Sequence, residues 1–185
     1  MTEDRRRSRN PGEPDKQGPD GARRWADYLD WLRADIVEGV LGLPLAERTA
    51  SRLPSGWSPV ELLSHLLHME QRWFVWGFLG EQVPEPWGDW NVDDPSLDAG
   101  PGGITPAWRV AEGVTAEDIA ISLRDMGERT REILDHHDLG ERARVGGRFT
   151  EDPPTLEWIC FHVLAEYARH AGHLDVVREL STAPS

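Results

Sequence analysis

Residues 161–173, FHVLAEYARHAGH, place His162, His170 and His173 with Glu166 in one continuous helical pattern. Glu166 and His170 stand four apart, so on an α-helix the carboxylate lies above the imidazole on one face, and the two converge on a point that a metal ion could occupy. Stepping by three and four gives the row Ile159, Val163, Glu166, His170, Leu174 and Val177, apolar at both ends and ionisable in the middle. Such a seam faces a core, where charged groups are paired or hold a metal. Two readings follow. Either Glu166 and His170 form a buried hydrogen-bonded pair or sit at a solvent edge of the helix, or they are two ligands of a site that needs a third.

The third ligand has two candidates in the segment Ser64-His65-Leu66-Leu67-His68-Met69-Glu70. His65 has Leu62, Leu66 and Met69 as helical neighbours and turns toward the core, whereas His68 sits among Ser64, Gln71 and Arg72 at its edge. A histidine from this helix with Glu166 and His170 makes an N/N/O set in a bundle interior, where helical bundles build metal sites. Zinc accepts these donors, and three protein ligands leave a position for water or substrate, the mark of a catalytic rather than a structural site. Cys160 is the only cysteine, which excludes an intrachain disulfide and cysteine-rich zinc sites. Its apolar surroundings predict a buried, inert thiol.

The elements that must position these side chains are helical. Asp20 is expected to cap a helix to Gly39 with Trp25, Tyr28, Leu29, Leu32 and Ile36 at helical spacing, followed by a short connection over 41–54 with Leu41, Leu43 and Leu45 packed on the bundle. Ser58, Pro59 and Glu61 form a capping box that opens a second helix reaching Leu79. Residues 80–114, rich in proline and glycine, make a crossover far beyond ordinary loop lengths, pinned by Trp87, Trp90 and Trp108, which could also wall a pocket. Thr115 with Asp118 opens a third helix carrying Ile119, Leu123, Met126, Ile133 and Leu134 and ending near His136 and His137, which complement its C-terminal dipole. A Gly146-Gly147 turn, with room for a small hairpin, follows, and Thr155 caps a fourth helix from Leu156 to Leu180. The expected fold is all-α, a four-helix bundle with one long crossover over residues 20–181. Residues 1–19 read as a disordered tail and 182–185 as a frayed end.

A formal charge of −13 without an aromatic-interleaved basic patch argues against nucleic acid as a partner. No apolar run long enough for a membrane span or a secretory signal appears, so a cytoplasmic protein without a membrane partner is expected. Arginine in excess of lysine, with abundant alanine and glycine, suggests a GC-rich genome. Arg142, Arg144 and Arg148 form a basic island just before the fourth helix. Glu166 and His170 lie roughly 16 to 22 Å along that helix from Thr155 at 1.5 Å per residue. The island is therefore expected to serve folding or solubility, with the pocket walled by the crossover and by Arg169 or Arg72.

The chain resembles the DinB/YfiT-like helical bundles, and within them the mycothiol transferase-like branch that includes the mycothiol-dependent maleylpyruvate isomerases. The resemblance rests on Trp57-Ser58 with His65-Leu66, on Trp73-Phe74, on Pro86-Trp87-Gly88, and on Trp158, His162, Glu166-Tyr167-Ala168-Arg169-His170 and Gly172-His173. It covers residues 22–181. Many members hold the metal with three histidines, and the thiol-dependent isomerases are similar to this chain in having glutamate in place of the second. The resemblance implies an up-down-down-up bundle, with His65, Glu166 and His170 as metal ligands and His162 and His173 beside them; by its place on the second helix His68 stays the competitor for the His65 position. It implies Zn2+, with Ni2+, Fe2+ or Mn2+ as other fits, and mycothiol or another low-molecular-weight thiol such as bacillithiol as cosubstrate for a small electrophile. A homodimer is compatible with it. The isomerases carry an additional C-terminal domain that this chain, ending a few residues after the fourth helix, lacks, so isomerase activity itself is not expected. A metal-dependent thiol S-transferase is the expected function, with a non-catalytic metal-stabilised module binding a small molecule or protein as the alternative.

Overall fold

The computed structural model describes residues 12–90 and 108–182. Among them the chain is all-helical, and its only β-type pairs are isolated bridges. The helices are α1 (Ala22–Leu41), the single turn α2 (Leu45–Arg48), α3 (Pro59–Glu70), α4 (Ala116–His136) and α5 (Leu156–Thr182), and α3 continues as a π-helix over Gln71–Phe78. No helix among the described residues is long and apolar enough to cross a membrane.

Local chemistry accounts for most helix ends. Ser58 and Glu61 form the reciprocal capping box at α3 with Pro59 at its first position, and Thr115 and Asp118 do the same for α4. Thr155 accepts the Trp158 amide at the start of α5. Asp20 is the exception. The residue preceding α1 is Gly21, at φ 66°, and Asp20 instead pairs with Arg24 one turn on. A left-handed backbone turn at Gly21 brings the chain into the helix, and aspartate cannot act as the cap from one residue further out. Residues 12–19 run back beside α1, where Arg24 donates to the carbonyls of Gly18 and Pro19. The remainder of the expected tail, and the end 183–185, lie outside the described residues.

The rows of apolar residues then pack. Leu29, Leu32, Ile36 and Val40 of α1 meet Ile119, Leu123, Met126, Ile133 and Leu134 of α4 and Leu156, Ile159, Val163, Leu174 and Val177 of α5, all buried. Burial of each such side chain contributes about 1.5–3 kcal/mol. In the connection after α1, Leu43 is buried as expected but Leu45 is 75% exposed. Arg48 explains the difference, because α2 serves as a bracket. Arg48 donates to the Leu41 and Leu43 carbonyls and to Glu117, tying the end of α1 to the start of α4 without Leu45.

One polar knot joins all four long helical segments. Glu70, wholly buried at the end of α3, accepts hydrogen bonds from Arg33 of α1 (2.6 and 3.2 Å), Thr130 of α4 (2.6 Å) and Tyr167 of α5 (2.6 Å). Burial opposes the charge on Arg33, but Glu70 outweighs it and raises the arginine pKa. Gly127 makes room for that guanidinium, since a Cβ there would lie 2.4 Å from Arg33 Nη1.

Candidate metal centre

α3 and α5 bring His65, Glu166 and His170 together. One ligand atom from each lies within 4.8 Å of the other two. The two imidazoles meet edge to face at 5.0 Å, and Trp108 stacks on His65 at 4.1 Å while its edge approaches His170 at 5.2 Å. His65 and His170 are buried, and the Glu166 side chain is 17% exposed, so the cluster opens on the carboxylate side.

Burial pushes the His170 pKa down to about 3, helped by His65, His173 and Arg169, so the ring is neutral at ordinary pH with a lone pair to give. Its Nδ1 is buried without a hydrogen-bond partner among the described residues. Its Nε2 stands 3.4 Å from Glu166 Oε2, long for a hydrogen bond. A satisfied Glu–His pair therefore does not describe the arrangement. The donor set, two buried imidazoles and a carboxylate with ligand atoms within 4.8 Å of one another, fits a divalent cation.

A residue the sequence reading did not single out completes the geometry. Asp89 is wholly buried, and its Oδ2 accepts a hydrogen bond from His65 Nδ1 at 2.9 Å. A carboxylate only accepts, so Nδ1 carries the proton and Nε2 keeps the lone pair. Asp89 is gripped in turn by Arg72, through Nη1 at 2.5 Å and Nη2 at 3.0 Å, and Arg72 also donates to the Pro86 carbonyl. Burial works to raise the Asp89 pKa, but the His65 and Arg72 hydrogen bonds prevail and hold it below the usual carboxylate range. The signal available in the sequence was Pro86-Trp87-Gly88 just before it. Gly88 leaves space that a side chain would fill, its Cβ position lying 2.8 Å from His68 Nε2.

Arg72 reaches Asp89 because α3 does not continue as an α-helix to Leu79. Over Gln71–Phe78 the chain widens to π-type bonding, with the Leu79 amide reaching Phe74 five residues back. Such widenings recur at functional sites. Arg72 thereby leaves the polar edge predicted for it and is 3% exposed.

The other candidate histidines separate. His68 bonds through Nδ1 to the Ser64 carbonyl at 2.8 Å, and its other nitrogen faces Gly88. His162 lies between Trp158, on which it stacks at 5.4 Å, and Trp73 at 4.2 Å. His173 is exposed, 5.7 Å from His170. Arg169 pairs with Glu166 from the surface. His136 and His137 do sit at the end of α4, His136 bonding the Glu132 carbonyl and His137 Glu141.

The basic island divides. Arg142 pairs with Asp152 in solvent and Arg144 is exposed. Arg148 departs from the distance argument, because the loop folds back along the bundle. Arg144 and Arg148 donate their amides to Phe78 and Trp76, and the Arg148 guanidinium lies 4.3 Å over Trp73 and 5.4 Å over Trp87. The Gly146-Gly147 turn forms without hairpin strands, and two isolated bridges, Val145 with Phe149 and Arg142 with Thr155, close the loop.

Cys160 is fully buried, and burial, aided by Glu157, pushes its thiol up to about 12. The native protein is expected to leave a disulfide reagent unreacted at pH 8 over hours and to titrate one thiol in guanidinium. Prompt reaction of the native chain would show that α5 opens at this turn.

A family profile described as mycothiol-S-transferase matches residues 25–183. No curated protein and no solved structure matches the chain.

Proposed function

The chain belongs to the mycothiol-S-transferase family, and from that premise and the His65–Glu166–His170 triangle we propose that it is a metal-dependent S-transferase joining a low-molecular-weight thiol, mycothiol first among them, to a small electrophile. The proposal includes the four-helix, up-down-down-up arrangement of α1, the α3 segment, α4 and α5, and the three side chains as ligands of one divalent ion, Zn2+ by the N/N/O donor set. The observation that carries it is the convergence of a neutral His170, Glu166 and a tautomer-fixed His65, whose ligand atoms lie within 4.8 Å of one another.

A divalent cation held there supplies Lewis acidity that keeps a thiol as its thiolate at neutral pH. The protein's own groups do the rest. Asp89 holds the His65 ring in place and makes its free nitrogen a better donor, and Arg72 fixes Asp89. Trp108 covers His65 and His170 and keeps water off that side. Glu166, at the open edge, leaves the approach for thiol and electrophile, with Arg169 beside it.

The test is a screen of monochlorobimane and related electrophiles with mycothiol, bacillithiol, glutathione and cysteine, with and without chelator. Metal-dependent conjugation with mycothiol, at least about tenfold above the other thiols, is expected. Absence of metal-dependent turnover with every thiol would overturn the transferase reading in favour of a metal-stabilised binding module.

A further inference from the structure

We propose that Arg148, held between Trp73 and Trp87, is a recognition subsite for a carboxylate carried on an aromatic body, placed to seat the electrophile beside the metal centre. Its role in seating the electrophile rests on the transferase reading; the binding itself does not.

Three observations carry it. The Arg148 guanidinium forms no hydrogen bond or ion pair among the described residues, and its Nη1 is buried with no partner, although acidic residues outnumber basic ones by 33 to 20. A guanidinium presents five donors in a rigid fork that matches a carboxylate, and leaving a buried donor unmet is unfavourable. The like charge of Arg72 adds to the strain, and burial and Arg72 both lower the Arg148 pKa. Asp89 cannot relieve it, being committed to Arg72 and His65.

The fold also builds the position deliberately. Gly147 passes so close to the end of the π-helix that a Cβ would lie 2.4 Å from the Trp76 carbonyl oxygen and 2.8 Å from Gly80 Cα, and the Arg148 amide bonds that same carbonyl. Gly77 likewise lets the loop close in, its Cβ position lying 2.9 Å from the Arg72 carbonyl oxygen and 3.3 Å from Phe149 Cε2.

The aromatic faces extend the site toward the metal cluster. Trp73 is 4.2 Å from His162, which lies one turn before Glu166 on α5, and Trp87 is shared with Arg72, whose Asp89 holds His65. Trp87 is 43% exposed and so is reachable from solvent. A flat apolar ring against these indoles with its carboxylate on the guanidinium satisfies both the exposed aromatic surface and the unmet donor.

Titration of the zinc-loaded full chain with benzoate and with neutral benzamide, followed by calorimetry and tryptophan fluorescence, tests this without thiol or turnover. Benzoate is expected to bind at least about tenfold more tightly than benzamide, and Arg148→Gln to erase that preference while zinc content stays unchanged. Should Arg148→Gln fail to fold, Arg148→Lys carries the test: it keeps the charge, loses the fork and is expected to weaken benzoate about three- to tenfold with benzamide unaltered. Equal binding of the two probes, no saturable benzoate binding, or unchanged affinity in the folded Arg148 variant would overturn the proposal. So would benzoate binding lost in His170→Ala but untouched in Arg148→Gln, which would put the carboxylate on the metal. A negative thiol screen leaves these outcomes intact, so failure of the transferase reading and failure of the subsite are separable.

Discussion

Alanine at Glu166 or at His170 is expected to reduce bound metal from near one equivalent to below about a tenth in protein purified without chelator, with conjugating activity falling in step. In the proposed centre each substitution removes one of the three candidate donors found among the described residues, and burial keeps the His170 ring neutral. His65→Ala should behave alike. Asp89→Asn should behave differently, retaining the three ligands but weakening the hold on the His65 tautomer, for a loss in metal affinity of about 10- to 100-fold. His68→Ala should retain the metal, because its Nδ1 is spent on the Ser64 carbonyl. Elemental analysis and competition with a chromogenic chelator read all five variants. Full metal in Glu166→Ala and His170→Ala together would sink the assignment, and loss of metal in His68→Ala would move the α3 ligand one turn along the helix.

Glu70→Ala is expected to lower the unfolding free energy by about 3–5 kcal/mol, because it strands a buried arginine. Arg33 is 6% exposed, and although Asp30 also pairs with it, the two hydrogen bonds it donates to Glu70 are the ones that hold it inside. Thr130 and Tyr167 lose their acceptor at the same time. For a domain stable by about 5–15 kcal/mol, that is a large share. Replacing both partners, Arg33→Met with Glu70→Leu, should recover much of the loss, since a buried ion pair exchanged for apolar groups of similar size is often neutral. Urea denaturation of the single and double variants measures this. A cost under about 1 kcal/mol for Glu70→Ala would mean that the knot is hydrated or redundant.

The sequence alone determined what depends on neighbours along the chain. Helical spacing identified the four long helical segments and their buried faces, because residues three and four apart share a side whatever they pack against. The capping boxes at Ser58 and Thr115 were legible for the same reason, their bonds closing within three residues. Glu166 and His170 were likewise readable as a pair on one face, and the apolar neighbours of His65 set it inward.

Tertiary structure alone decided the partners. Asp89 lies 24 residues from His65 in a stretch with no period, and beyond the Pro86-Trp87-Gly88 before it nothing local marks its carboxylate as buried. The π-helix that turns Arg72 toward it leaves no mark in hydrophobic spacing, since its residues also read as an α-helical continuation. Glu70 lies inside the segment read as one helix to Leu79, and nothing along the chain marks it, although its three partners come from three other helices. Arg148 seemed out of reach when distance was measured along α5, and the loop shortens that path by docking Gly147 on the end of the π-helix. In each case the deciding interaction joins residues remote in sequence. Its energy comes from desolvating charges that the fold has already brought together, and that is set by three-dimensional proximity rather than by spacing along the chain.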